Sequence, residues 1–201
     1  MSQHPKMEGA ECTLIEREIY VSSGFYSKAE LLRREFNEAV LGQNGQQGGI
    51  TPLAYAYTEN VYQFLTAGAE RCFSEVTVAD VIGTLEQWGK AVLGISHVST
   101  PQVRVYVRGC LRKLYRDDVT ASWHFILSLT SNHIRAKRSN ISILRDSIPG
   151  KGSLSIDKIV SSAPIFNQLL VHSTRQPYSV EGAYTSMNPL EGTVLLDGYM
   201  W

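Results

Sequence analysis

Thr100-Pro101-Gln102-Val103-Arg104-Val105-Tyr106-Val107-Arg108-Gly109-Cys110-Leu111-Arg112-Lys113-Leu114-Tyr115-Arg116 admits two readings, and the choice between them sets the fold class. Val103, Val105 and Val107 alternate with Arg104, Tyr106 and Arg108, as in a strand with one buried face. Over the longer window Val103, Val107, Cys110, Leu111 and Leu114 recur at helical spacing. Thr100-Pro101 supplies an N-cap followed by proline at the first helical position. The longer period and the start signal favour a helix. On that helix Arg104, Arg108, Arg112 and Arg116 stand four apart and form one slowly drifting stripe, with Lys113 beside it. Like charges at this spacing repel by roughly 0.2–0.5 kcal/mol per pair. An anionic counterpart is therefore expected: phosphates, whose oxygens match guanidinium forks two at a time, or carboxylates of this or another subunit.

Working outward, the same signals recur on both sides. Ser27-Lys28-Ala29-Glu30 has the capping-box pattern, and Leu31, Leu32, Phe36, Ala39 and Val40 follow at helical spacing to a stop at Gly42. Residues 42–49 contain no apolar side chain and read as a flexible linker. Thr51-Pro52 opens a second stripe through Leu53, Tyr57, Val61, Phe64 and Leu65. Residues 77–93 carry a third, with Val81, Leu85, Trp88 and Val92 on one face. The apolar block from Trp123 to Leu129, broken by His124 and Ser128, reads as a buried helix in which His124 is a hydrogen-bonded core histidine. A further helix fits between Ser155 and Val171. After His172 the chain turns rich in Ser, Thr, Pro and Gly, yet ends in Tyr199-Met200-Trp201, apolar groups that need a surface to cover.

These readings combine into a mainly α protein of about five to seven helices with extended N- and C-terminal arms. The expected organisation is an N-terminal arm over 1–26, a hinged helix over 27–41, a Gly/Gln-rich linker over 42–49, a helical core over 50–172 and a C-terminal arm over 173–201.

Charge separates along the chain although the total is zero, with 19 basic and 19 acidic residues. Residues 104–145 hold nine basic and two acidic residues, while both flanks are net acidic. The basic middle segment is thus matched either to a polyanion or to the acidic surface of another copy. Arg135, Lys137 and Arg138 form a second basic patch, and Tyr106 and Tyr115 stand where they would stack on bases. The candidate nucleic-acid-binding set is therefore Arg104, Arg108, Arg112, Lys113, Arg116, Arg135, Lys137 and Arg138. Residues 1–10 lack the apolar core of a signal peptide, and no apolar run reaches membrane-spanning length. The expected setting is cytoplasmic or within a virion, without integral membrane association.

Catalytic patterns fail on spacing. Gly150-Lys151-Gly152-Ser153 lacks the earlier glycine of a phosphate loop, and a glycine follows the lysine where Ser or Thr is needed. Ser155-Ile156-Asp157-Lys158 has no Ser-Asp-Asn or Lys-Thr-Gly partner. The five histidines show no paired metal spacing, and Cys12, Cys72 and Cys110 are too scattered for a zinc site or a disulfide framework. No catalytic residue, metal ligand, cofactor or small-molecule ligand is implied. In organisation the chain is similar to helical viral coat or nucleocapsid proteins. The stretch from Val105 to Ile126 resembles the core helices of hepadnaviral capsid proteins, without their spacings or an arginine-rich tail. The expectation is a non-enzymatic, self-assembling structural protein that partners itself and binds nucleic acid non-specifically through a basic helix. The alternatives are a matrix or adaptor protein facing an anionic membrane or acidic partner, and an enzyme whose site has no local motif.

Overall fold

The computed structural model describes residues 11–16, 18–42, 52–115, 120–131, 139–144, 158–182 and 186–201. Among these the chain forms twelve strands and two α-helices. In order they are β1 (Glu11–Glu16), β2 (Ile19–Ser23), α1 (Ala29–Leu41), β3 (Ala54–Thr58), β4 (Tyr62–Gly68), α2 (Glu75–Val92), β5 (Gln102–Tyr106) and β6 (Leu111–Tyr115). They continue with β7 (Trp123–Ser128), β8 (Asn140–Leu144), β9 (Lys158–Ser162), β10 (Gln168–Ser173), β11 (Tyr178–Glu181) and β12 (Thr193–Met200).

The mainly α expectation is overturned at the stretch that decided it. Gly109 adopts a φ of +83°, a left-handed conformation that suits glycine. The Cys110 amide donates to the Val107 carbonyl at 2.9 Å, so the chain turns back there instead of continuing a helix. Two short strands, β5 and β6, each contribute apolar residues whose combined spacing imitates a helical stripe. The Val-x-Val-x-Val alternation was the truer signal. Thr51-Pro52 and Thr100-Pro101 likewise lead into strands, because their cap chemistry suits a turn as well as a helix start. The apolar block at Trp123–Leu129 holds a strand buried on both faces, which hydrophobicity alone does not separate from a buried helix. Helices do form at Ala29–Leu41 and Glu75–Val92. Ser74 caps the second, its hydroxyl accepting from the Thr77 amide at 3.3 Å, whereas Ser27 makes no capping bond to the first.

Strands join in the order β1-β2-β10-β7-β12-β5-β4-β6-β11-β8-β9, with β3 paired to β4 off that path. Each pairing is antiparallel. β4 makes the corner: Leu65–Gly68 pair with β5, while Tyr62 and Gln63 pair with β6. The sheet thereby folds over itself, and Tyr178 of β11 lies with its ring 4.7 Å from that of His124 on β7. β5, β12, β7 and β10 make one layer and β6, β11, β8 and β9 the other, a double-sheet jelly roll.

Register decides what each face of the first layer carries. Val105 pairs with Val194, Leu196 with Val103 and Leu127, and Val171 with Phe125, so these apolar residues share one face. Helix α2 packs on that face: Trp88 meets Tyr20 edge-on at 6.1 Å, and Gly89 lies beside the Met200 sulfur. Helix α1 is tied in by Arg33, which donates to the carbonyls of Leu129 at 2.9 Å and Leu190 at 2.5 Å. The opposite face, turned toward the second layer, carries the polar residues Arg104, His124, His172 and Asp197.

The expected arms are also corrected. At the N-terminal end β1 and β2 pair into the sheet beside β10. At the C-terminal end β12 is hydrogen-bonded between β5 and β7, and Val194, Leu195, Leu196 and Met200 belong to this chain's own core. Of the expected linker, residues 43–49 lie outside the described residues. No helix among the described residues is long and apolar enough to cross a membrane.

Candidate functional site

Four strands of the first layer and two of the second bring titratable side chains into the space between the sheets. Leu195 pairs with Arg104, which sets Asp197 diagonally across from Arg104 on the same face. Arg104 Nη1 lies 2.8 Å from Asp197 Oδ2 and also donates to the Tyr178 hydroxyl at 3.2 Å. His124 and His172 are direct cross-strand partners, and His124 Nδ1 stands 3.0 Å from His172 Nε2. The other nitrogen of His172, Nδ1, meets the Ser173 carbonyl at 3.0 Å. His124 Nε2 faces Asp197 Oδ2 at 3.4 Å. The rings of Tyr178 and Tyr199 flank His124 at 4.7 and 5.2 Å, tilted 35° and 37° to it. The Arg112 guanidinium of β6 sits over the Tyr178 ring at 4.5 Å.

Burial makes every charge here costly unless it is matched. Burial opposes the Arg104 charge, but Asp197 and the surrounding tyrosines hold its proton more firmly than usual. Burial likewise pushes Asp197 up, and Arg104 together with His124 overcomes it, leaving the carboxyl below its ordinary range. His172 is pushed down to about 3, by burial first and then by His124, so it stays neutral at physiological pH. Burial raises the Tyr106 hydroxyl to about 12.

Beside this interior a cavity of about 270 Å³ opens along the β6–β11 pair. Arg112, Lys113 and Glu181 supply its charged lining, and Gly109 and Gly182 also line it.

The predicted basic stripe is not assembled. Arg112 is buried on β6, while Arg104, partly buried, lies on a different strand, β5. Arg108 is exposed at the intervening turn, where its amide donates to the Ser186 carbonyl at 2.8 Å, and Lys113 is exposed on β6. Arg116, Arg135, Lys137 and Arg138 lie outside the described residues. The turn at Gly109 interrupts the run, so the four-residue spacing does not place these arginines along one continuous face. His124 is the buried, hydrogen-bonded core histidine that its apolar surroundings indicate. Tyr178, His172 and Asp197 were missed because they converge only through the sheet pairing. One local signal existed: a lone acid in Val194-Leu195-Leu196-Asp197 and a lone histidine in Leu169-Leu170-Val171-His172. A polar residue inside an apolar run marks either a surface face or a polar interior.

No family model matches the sequence, and no characterised protein matches it. The fold has clear counterparts. A prolyl-4-hydroxylase from Pseudomonas putida aligns over 91% of this chain and 91% of its own, with a TM-score of 0.61 and 15% identity. A prolyl hydroxylase from Trichoplax adhaerens, solved with a hypoxia inducible factor peptide fragment, aligns over 92% and 83%, with a TM-score of 0.60 and 14% identity. The non-heme alpha ketoglutarate dependent epimerase SnoN of nogalamycin biosynthesis aligns over 92% and 77%, with a TM-score of 0.63 and 10% identity. The chain therefore has the jelly-roll fold of this class of oxygenases.

That likeness overturns the expected function. A helical coat or nucleocapsid protein, or a matrix protein of the same build, does not share an enzyme's barrel over nine-tenths of its length. The expectation of a non-enzymatic protein whose partners are itself and nucleic acid, with no small-molecule ligand, falls with it. The neighbours are described as enzymes: two prolyl hydroxylases and an alpha ketoglutarate dependent epimerase.

Proposed function

We propose that the chain is an enzyme of the jelly-roll oxygenase class by fold that binds an anionic small molecule at the β6–β11 cavity. The observation that carries this reading is the polar interior. Arg104, Arg112, His124, His172 and Asp197 occupy positions that a purely structural barrel would fill with aliphatic side chains. The cavity beside them approaches the size of small-ligand sites, and Arg112 and Lys113 favour an acidic group on the ligand.

Among the neighbours, SnoN is alpha ketoglutarate dependent and was solved with Fe3+ and alpha ketoglutarate, which raises the question of iron here. A non-haem iron centre of the facial-triad type needs two imidazole nitrogens and a carboxylate converging on one point, with open positions beside them. The described residues do not fit. His124 and His172 spend their facing nitrogens on each other, His172 spends its second on Ser173, and Asp197 is held by Arg104. No three His, Cys, Asp or Glu side chains among the described residues group to hold a metal ion. What these residues support is binding and charge placement.

Calorimetric titration with 2-oxoglutarate, succinate and a panel of other carboxylates, with and without Mn(II), tests the reading. Saturable binding that is lost in Arg112→Gln, with that variant still folded, is the expected result. Absence of binding by every member of the panel in both conditions would overturn it.

A further inference from the structure

We infer that the ligand of the β6–β11 cavity carries an aromatic ring beside its acidic group, and that the exposed pair Tyr55 and Tyr57 on β3 receives that ring. The inference rests on the cavity reading above and narrows it to one class of small molecule, an aryl carboxylate.

Strand register joins the two places. Residues directly opposite in an antiparallel pair point to the same face of the sheet. Tyr57 pairs with Gln63, Gln63 with Leu111, and Leu111 with Glu181. One row therefore crosses β3, β4, β6 and β11, and its last two members line the cavity. Tyr55 stands two residues from Tyr57 and shares its face. Neighbouring strands lie about 4.8 Å apart, which sets the Tyr57 backbone roughly 10 Å from that of Leu111. Hydrogen bonds make the same link. The Tyr55 hydroxyl donates to Gln63 Oε1 at 3.3 Å, and Gln63 Nε2 donates to the carbonyl of Gly109, itself a lining residue.

The tyrosines have the form of a ring receptor. They are 61% and 58% exposed, and their planes lie 10° from parallel with centroids 6.4 Å apart. Tyr55 is anchored through Gln63, so this aromatic surface is oriented before any ligand arrives. A ring that stacks on it gains contact without first having to order it.

The charged end lies on β6. Lys113 is exposed two residues beyond Leu111 and on its face, where it takes the carboxylate. Arg112, buried on the opposite face of the strand, adds positive charge from behind. Glu181 opposes them: one pairing beyond Leu111, it disfavours a second acid on the ligand. The arrangement thus selects a monoanion with its ring a few bonds from the carboxylate.

Calorimetry of the full chain with 3-phenylpropionate, 4-phenylbutyrate and hexanoate tests this, since all three carry one carboxylate and only two carry a ring. At least one phenyl acid should bind the wild type roughly two- to tenfold more tightly than hexanoate, the worth of one aromatic pair. That advantage should vanish in the double variant Tyr55→Ala/Tyr57→Ala and persist in Tyr57→Phe, which keeps the ring. Both positions are exposed, so circular dichroism should show the wild-type fold in each variant. Equal affinity of the wild type for all three acids, or an advantage that survives in the double variant, would overturn the inference and leave the cavity reading in place. Binding of no acid at all, 2-oxoglutarate and succinate included, would overturn both.

Discussion

Arg104 and Asp197 form an ion pair at 2.8 Å across adjacent strands, with side-chain exposures of only 13% and 3%. Such a pair contributes less by its own attraction than it costs when one member is removed, because the survivor is left charged and desolvated. Arg104→Met is expected to destabilise the fold by about 3–5 kcal/mol, and Asp197→Leu by a similar amount. The double variant should recover most of that loss. Chemical denaturation of the four proteins measures the coupling, and purely additive losses would show that the two charges act independently.

His172 gives the fold a dependence on acid. Its folded form accepts a proton only near pH 3, whereas an unfolded histidine does so near 6.5. The unfolded chain thus binds more protons between those values, and stability falls as pH drops through them. In His172→Asn this contribution is absent. Denaturation midpoints measured from pH 7 to pH 4 should fall more steeply for the wild type than for the variant. Parallel curves would place the titration elsewhere.

The two tryptophans separate what hydrophobicity reveals from what it hides. Both Trp88 and Trp123 read as core anchors from the apolar residues around them. Trp88, on the buried face of α2, is 1% exposed, and Trp88→Ala should cost about 3–5 kcal/mol. Trp123, at the start of β7, is only partly buried and meets Tyr20 edge-on at 5.7 Å, so Trp123→Ala should cost clearly less. Thermal unfolding of the two variants checks the order.

Legibility followed period and context. Helices α1 and α2 were readable because each is amphipathic over three turns or more with an acidic residue in its first turn. The jelly roll was not, because its central strands are buried on both faces. Leu127 and Ser128, or Val171 and His172, are neighbours of opposite orientation that are equally buried, which erases the two-residue alternation. Charge misled for a related reason. Arg104 and Arg112 look like surface residues by type, yet Asp197 and Tyr178 receive them in the interior, and those partners lie 93 and 66 residues downstream. Only strand pairing brings such residues together, and no local spacing encodes it.

The end of the chain supplies the sharpest test of the corrected fold. As an arm, residues 190–201 would be dispensable to the core and needed only by a neighbouring copy. As β12, residues 193–200 fill the slot between β5 and β7, donate and accept ladder hydrogen bonds on both sides, and place Asp197 against Arg104. Deleting 190–201 would leave two edges unpaired inside the sheet, strip Val194, Leu195, Leu196 and Met200 from the core, and strand the buried Arg104 guanidinium. Each apolar side chain alone is worth roughly 1.5–3 kcal/mol on burial, so the four together are comparable to the whole margin of a typical domain, about 5–15 kcal/mol, before the lost strand pairing and the stranded charge are added. The truncated protein should therefore fail to fold, with no cooperative unfolding transition by circular dichroism. A truncated chain that keeps its cooperative transition would show that the layer closes without β12 and would return the segment to an accessory role.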